Sequence, residues 1–162
     1  MSPNQQALTF IESRKTLYLS TSSKTGELET SVAPFVSYGG DFYIYVSELS
    51  QHTKNLLAQE KNTPVSALLC ADEKETEQLF ACERMRLQLN VEEVERSSAC
   101  YQDVIQQFEQ TFGDVVQMLT NLPDFHLFKL RIVNGQYVRG FGQAFRFEGH
   151  PENGMQHIGP NS

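Results

Sequence analysis

Strict alternation of apolar and polar side chains over residues 84–96 predicts a long β-strand. A period of two places neighbouring side chains on opposite faces of a strand, so one face packs on a core and the other meets water. The apolar positions are Met85, Leu87, Leu89 and Val91, and they alternate with Arg84, Arg86, Gln88 and Asn90.

Further strands are predicted on both sides of this one, together with a few helices. About seven strands without regularly alternating helices predict a β-rich α+β fold, a barrel rather than a parallel sheet. Two dipeptides typical of tight turns, Gly39-Gly40 and Asn134-Gly135, each predict a β-hairpin. The other predicted strands cover 15–22, 28–36, 42–47, 64–71, 125–133 and 136–147, and the helices cover 3–13, 49–59 (capped by Ser50) and 98–122 (divided at Gly113).

The chain has 162 residues, a length that suits one domain. We expect this domain to cover residues 1–149, where the strand and helix patterns end. Residues 150–162 are rich in Gly, Pro and Asn, so we expect a flexible C-terminal tail there.

The chain is acidic, which argues against some classes of binding partner. Lys and Arg number 13 against 20 Asp and Glu, a net charge of −7 that disfavours nucleic acid. No apolar run approaches the roughly 18 residues of a membrane-spanning helix. Residues 1–15 lack a signal-peptide pattern, so we expect a cytoplasmic protein. Cys70, Cys82 and Cys100 form no C-x-x-C pair, which argues against a disulfide framework or a zinc site.

Residues 47–55 run from a predicted strand end into a predicted helix start, which makes them a candidate anion site. Free amides and the helix dipole favour an anion at such a position. Lys54 lies near that positive end, and a bound phosphate or carboxylate would offset the repulsion. The alternative is a solvated helix start. The polar residues of interest are Ser47, His52, Thr53, Lys54 and Asn55.

Two further features have a functional and a structural interpretation. Val138, Gly140, Gly142 and Ala144 share one face in strand register, which would admit a flat ligand, although barrel curvature is the simpler explanation. Arg84 presents a guanidinium on the polar face of the alternating strand. Such a group binds carboxylates and phosphates or stays solvated on the surface.

Two histidines are informative, and the catalytic motifs of common enzymes are absent. His126 lies in an apolar strand and is expected to be a hydrogen-bonded structural residue. His157 lies in the predicted tail, where it would ligate the metal of a bound cofactor or belong to a frayed end. The sequence has no Ser-His-Asp arrangement and no H-E-x-x-H, G-x-S-x-G or P-loop motif, which argues against hydrolase and kinase activity.

Several motifs occur in a fixed order along the chain. Residues 31–36 (SVAPFV) and 45–56 (YVSELSQHTKNL) come first. Residues 78–81 (QLFA), 94–96 (VER), 112–113 (FG), 122–125 (LPDF) and 140–144 (GFGQA) follow. Over residues 15–149 the sequence resembles the pyridoxamine-phosphate-oxidase-type FMN-binding split-barrel superfamily, and within it the heme-utilisation branch of HutZ/HugZ-type proteins.

The resemblance implies a six-stranded split β-barrel and an obligate homodimer with two ligand sites at the subunit interface. It implies heme as the ligand, which some relatives degrade by oxidative ring opening, or FMN as in the wider superfamily. Arg84 matches an arginine on the distal side of heme, and Asp124 matches an aspartate that holds the proximal histidine of the neighbouring subunit. His52 matches a histidine near the anion segment, and Gly140 and Gly142 would form a wall of the ligand site.

Two departures from the family pattern concern the ligand site. The family's F-A-R-(K/R)-R stretch is Phe80-Ala-Cys82-Glu83-Arg84 here, so the pocket carries less positive charge for propionates or a phosphate. The family's proximal histidine lies in a C-terminal Glu-Gly-His, and His157 falls several residues short of that position. Three functions are therefore expected: a heme-binding and heme-degrading protein, an FMN-dependent oxidoreductase, or a non-enzymatic carrier of heme or flavin.

Overall fold

The computed structural model describes residues 1–159. Within them, eight strands form one antiparallel sheet flanked by four α-helices. The strands are β1 (Thr16–Ser22), β2 (Leu28–Tyr38), β3 (Asp41–Ser47), β4 (Val65–Cys70), β5 (Arg84–Val94), β6 (Phe125–Val138), β7 (Ala144–Glu148) and β8 (Gln156–Ile158). The helices are α1 (Pro3–Ser13), α2 (Gln51–Ala58), α3 (Ala99–Phe112) and α4 (Val115–Thr120).

Six of the strands close into a barrel. They follow the order β3-β2-β1-β4-β5-β6, and β6 pairs back with β3. β7 and β8 extend the sheet from β6 beyond the closed part. The inward side chains of Leu19, Ile44, Leu69, Leu87 and Leu130 are almost completely buried, because each strand alternates around one apolar core. The six-stranded split barrel expected from the resemblance is confirmed.

β6 is a continuous strand of 14 residues, Phe125–Val138. The hairpin predicted at Asn134-Gly135 is wrong, because both residues pair with β5 in the middle of the ladder. Gly135 serves close packing instead of a turn. A Cβ atom at Gly135 would lie 2.6 Å from the carbonyl oxygen of Arg86 and 2.8 Å from a ring carbon of Phe147.

The chain reverses direction after β6 through residues 139–143, and a backbone hydrogen bond of 3.0 Å closes this turn. Gly142 adopts a φ of +66°, which glycine tolerates without strain. The prediction that Gly140 and Gly142 share one strand face with Val138 and Ala144 is therefore wrong. The small residues permit the turn rather than line a flat strand surface.

The helices cover the outside of the barrel. Val104, Phe108 and Val116 of α3 and α4 bury apolar surface together with Tyr43 of β3. Gly113, with a φ of +88°, separates the two helices, so the division predicted at this residue is confirmed. Across residues 1–159, no helix combines the length and the apolar composition that crossing a bilayer requires. A cytoplasmic location stays a prediction.

α2 begins after Ser50, which has the extended backbone of an N-cap residue. Its hydroxyl forms no capping hydrogen bond, so the predicted side-chain cap is wrong. The helix is held from its buried side instead, where Leu56 packs into the barrel core.

Residues 150–159 carry backbone structure where the sequence predicts a tail. A 3₁₀ turn at Pro151–Asn153 packs near α1, where Asn4 Nδ2 donates to the carbonyl oxygen of Pro151 over 2.9 Å. β8 then pairs with the edge of β7. The mobility of this segment, and with it the boundary at residue 149, stays a prediction. Residues 160–162 lie outside the described part of the chain.

Candidate functional site

The buried side of α2 holds three residues of the predicted anion segment. Asn55 Nδ2 donates to Thr21 Oγ1 on β1 over 3.0 Å. His52 Nδ1 lies 2.6 Å from the Ser31 hydroxyl on β2. His52, Thr53 and Asn55 are all at most 6% exposed, so they attach α2 to the barrel rather than face solvent.

Two polar atoms on this side have no hydrogen-bond partner within residues 1–159. They are His52 Nε2 and Thr53 Oγ1. Burial lowers the pKa of His52, and the nearby Glu29 carboxylate acts in the opposite direction. The ring is therefore uncharged at neutral pH and does not attract an anion as a cation would.

Lys54 and Asp124 line an open cleft of about 590 Å³ where β3 leads into α2. We call this the Asp124 cleft; its other lining residues include Glu48 and Leu49. Ser47 Oγ donates to Asp124 Oδ2 over 2.8 Å and accepts from the backbone N–H of Leu49 over 3.1 Å. The backbone N–H of Glu48 donates to the carbonyl oxygen of Asp124 over 2.9 Å. The end of β3 thus fixes the position of Asp124.

The charges that line the Asp124 cleft limit what it can bind. Among its described lining residues Lys54 is the one cation, and it faces the carboxylates of Glu48 and Asp124. A phosphate dianion would meet two negative groups and one positive group there. A carboxylate already positioned by a hydroxyl is well suited to accept an imidazole N–H. The charged side chains of the cleft therefore fit an imidazole better than a phosphate.

His126 joins this region to the barrel through two carboxylates. Its Nε2 lies 2.6 Å from Glu48 Oε1 and its Nδ1 lies 2.5 Å from Glu93 Oε2. Burial lowers the pKa of His126, but the hydrogen bonds to Glu93 and Glu48 outweigh burial and raise the pKa overall. The predicted structural role of His126 agrees with these bonds. Its two partners escaped the sequence analysis, because the pairings of β6 with β3 and β5 are not local in sequence.

A second group of predicted residues lies where β5 begins and β6 ends, and we call this the Arg84 end. Arg84 Nη1 donates to the carbonyl oxygen of Cys82 over 2.9 Å. His157 Nε2 donates to the carbonyl oxygen of Gly142 over 2.8 Å, and its ring lies edge-on to Phe145. Gly140 belongs to the same turn as Gly142. The Nδ1 atom of His157 is the ring nitrogen left for a metal, since Nε2 carries the donated proton.

The two groups lie at opposite ends of the β5–β6 ladder. Arg84 pairs with Val138 at the last residue of β6, whereas Asp124 immediately precedes the first. At about 3.3 Å per residue, roughly 46 Å of strand contour lies between Asp124 and Val138. One protomer therefore does not bring Arg84, His157 and Asp124 into a single pocket.

The fold and the sequence place the chain in a known family. The profile of the pyridoxamine 5′-phosphate oxidase family matches residues 3–139. The chain therefore belongs to this family of split-barrel proteins, as the ordered motifs predicted.

Within the family, the chain is similar to proteins of two bacteria. It is 38% identical to the heme oxygenase HutZ of Vibrio cholerae serotype O1 over 140 residues. The aligned residues cover 86% of this chain and 78% of HutZ. The crystal structure of V. cholerae HutZ, there called the heme storage protein, superposes with a TM-score of 0.75 at 32% identity over 92% of this chain and 96% of that one. Campylobacter jejuni ChuZ gives a TM-score of 0.86 at 31% identity over 98% of this chain, which spans 63% of ChuZ.

Proposed function

We propose that this protein binds heme in a crevice between two copies of the chain. One copy contributes the Asp124 cleft, and the other contributes the Arg84 end with His157. The observation that carries the proposal is the Asp124 carboxylate, which Ser47 positions at an open cleft, in a chain 38% identical to a heme oxygenase. The separation of the two residue groups within one protomer supports a site shared between copies.

Each residue has a distinct role in this proposal. Asp124 accepts the ring N–H of His157 from the other copy, which exchanges its bond to the Gly142 carbonyl oxygen for this one, and so orients the imidazole and strengthens it as an iron ligand. Lys54 pairs with a propionate at the rim of the cleft. Arg84 would present its guanidinium to the opposite face of the porphyrin ring. Bound heme supplies an iron centre capable of oxygen chemistry.

Titration with heme, followed by absorption spectroscopy, tests the proposal. We expect a shifted Soret band in the wild-type protein and an affinity lower by about 10–100-fold in Asp124→Asn, because the imidazole loses its charged partner. Asp114→Asn is the matched control, since Asp114 forms no capping hydrogen bond at the start of α4. Absence of a Soret shift in the wild type, or equal affinities of the two variants, would contradict heme binding at this site.

Storage of heme without turnover is a second candidate. The observation that favours it is the bond from His157 Nε2 to Gly142, which uses the ring N–H that would otherwise bind the Asp124 carboxylate and strengthen the imidazole as an iron ligand. Incubating the heme complex with ascorbate and oxygen separates the two functions. Loss of the porphyrin spectrum with release of iron indicates an oxygenase, and an unchanged spectrum indicates storage.

An FMN-dependent oxidoreductase is a third candidate, favoured by the family profile over residues 3–139. In this case Lys54 and the first turn of α2 would hold the phosphate. Addition of FMN would give a yellow complex that absorbs near about 450 nm, as oxidised flavins do. The two carboxylates of the Asp124 cleft lead us to expect weaker binding of FMN than of heme.

A further inference from the structure

Two cysteines and an arginine lie close together at the Arg84 end, where β4 ends and β5 begins. Cys70 is the last residue of β4 and pairs directly with Arg84. The backbone N–H of Ala71 donates to the carbonyl oxygen of Glu83 over 2.9 Å, which continues the pairing past the strand end. In this continued register Cys82 lies diagonally across from Cys70, two residues before Arg84, so the two side chains are on the same face of the ladder.

Arg84 is anchored to Cys82 at two points. Its Nη1 lies 2.9 Å from the carbonyl oxygen and 3.8 Å from the sulfur of Cys82. A guanidinium beside a sulfur is a setting in which thiolates form and react. Burial and the neighbouring Cys82 raise the pKa of Cys70, while Arg84 and Arg14 oppose this change. The pair therefore consists of the Cys82 sulfur beside the Arg84 guanidinium and the Cys70 thiol on the same face of the ladder.

Both thiols are accessible to a small reagent. Cys70 and Cys82 are each partly exposed, and neither is in a disulfide. Cys70 lines an open cleft of about 580 Å³ that also contains Arg14, Lys15 and Lys74. Cys100 is distant from this pair in the fold, at the start of α3, where its sulfur lies 3.5 Å from the Tyr43 hydroxyl.

We propose that Cys70 and Cys82 form a reversible disulfide on exposure to a hydroperoxide, and that this bond frees Arg84 from its contact with the Cys82 sulfur. One thiolate attacks the peroxide, which is reduced to water as the sulfur becomes a sulfenic acid. The second thiol displaces water from that sulfur and forms the S–S bond. Two thiols and one hydrogen peroxide thus give one disulfide and two waters, and a dithiol reductant reverses the change.

The pair of thiols depends on the residue at position 82 of this chain. Cys82 stands where the resemblance places an arginine, so the sulfur adjoins the Arg84 guanidinium in place of a second cation. The proposal does not depend on heme as the ligand, since the two thiols and Arg84 interact within one protomer.

Intact mass measurement of the full chain tests disulfide formation. After treatment with hydrogen peroxide and then with an alkylating reagent, we expect the wild type to carry one alkyl group, on Cys100. Apart from this group, its mass should be about 2 Da below that of the reduced chain, because a disulfide has two hydrogens fewer than two thiols. Cys100→Ser, the matched control, also loses about 2 Da and retains no free thiol. Cys70→Ser and Cys82→Ser show no such loss. Retention of all three thiols in the oxidised wild type, or a linked peptide that contains Cys100, would overturn the proposal.

Chemical modification of Arg84 tests whether disulfide formation frees its guanidinium. We expect phenylglyoxal to modify Arg84 several-fold faster in the oxidised Cys100→Ser protein than in the reduced one, with the slow rate restored by dithiothreitol. Peptide mass spectrometry reports the rate at Arg84, and Arg131 in the same samples is the internal reference. Equal rates at Arg84 in the two states would overturn release of the guanidinium.

Discussion

At the residue scale, two histidines show how the surroundings of one side-chain type determine its charge. His52 is buried against Ser31 and has a lowered pKa. His126 lies between Glu48 and Glu93, which together raise its pKa. The first ring is neutral at the pH where the second still holds its proton. The stability of the protein should therefore respond to pH in opposite senses at the two positions.

We expect His126 to stabilise the protein mainly at acid pH. Its pKa in the folded state lies above the unfolded value of about 6.5, so the stabilisation is complete below that value and is lost as pH rises through the folded pKa. His126→Gln should cost about 0.5–1 kcal/mol at pH near 5.5 and little at pH near 8.5, a small effect because both carboxylates are about half exposed. Urea unfolding at the two pH values measures the difference.

His52→Gln is the control for this experiment. Because the pKa of His52 is lowered by burial, the unfolded chain takes up a proton that the folded chain does not, and wild-type stability falls as pH decreases. The variant should therefore gain stability relative to wild type at acid pH. The same pH trend in both variants would contradict our assignment of the two environments.

Part of the candidate site could be predicted from local sequence and part could not. Ser47 and Lys54 were found because a strand end followed by a helix start is a local pattern, and both lie beside the Asp124 cleft. Glu48 and Glu93 were missed as partners of His126, because no local pattern states which strands become neighbours. Asp124 was found through the family motif alone.

At the element scale, β6 determines the architecture. It pairs with β5 from Leu127 to Val138, with a shift of register at Val133, with β3 over its first half and with β7 over its last five residues. The alternating strand predicted over residues 84–96 was right, because alternation reports one buried face directly. The turn predicted at Asn134-Gly135 was wrong, because that dipeptide also suits a strand where a neighbouring side chain leaves no room for a Cβ.

Gly135→Ala should destabilise the protein by about 1–3 kcal/mol. The added Cβ would lie 2.6 Å from the Arg86 carbonyl oxygen, and backbone cannot move aside as a flexible side chain can. Gly140→Ala is the matched control, since a Cβ there meets nothing within 4 Å, and we expect a change within about 0.5 kcal/mol. Thermal unfolding compares them. Equal stability of the two variants would show that β6 has room at Gly135.

β8 should open more readily than the barrel. It has three residues and, within residues 1–159, pairs with β7 alone, whereas β6 is enclosed by β3, β5 and β7. Hydrogen exchange followed by mass spectrometry should show amides of Gln156–Ile158 exchanging much faster than those of Phe125–Val138. Similar protection of both segments would remove the predicted flexible tail and make residues 150–159 part of the domain.

At the scale of the whole molecule, the proposed heme site takes its two parts from two copies of the chain, because the Asp124 cleft and the Arg84 end lie at opposite ends of the β5–β6 ladder. A closed two-fold dimer would place each cleft beside the opposite end of its partner and produce two equivalent sites. Exposed apolar side chains on the outer faces of β1 and β2, Tyr18, Leu28 and Val32, provide surface for such an association. Gel filtration should show about twice the 18.4 kDa mass of one chain.

Subunit complementation should restore one site. His157→Ala and Asp124→Asn homodimers each lack a required residue at both sites, so both should bind heme weakly. A heterodimer of the two variants, isolated through two affinity tags, has one intact site and should bind about one heme. Spectroscopic titration measures this stoichiometry. Weak binding by the heterodimer would place both residues within the same protomer's site and refute the shared crevice.

The pairing of β6, from Phe125 to Val138, also restricts how the gene can vary. An insertion or deletion of one codon between Leu127 and Ile132 would turn the following side chains of β6 to the other face of the sheet and, in the proposed dimer, displace the Arg84 end from the partner's cleft. Substitutions avoid this penalty. A library of single-codon length changes should therefore yield functional clones in the loop after β1 and almost none within β6.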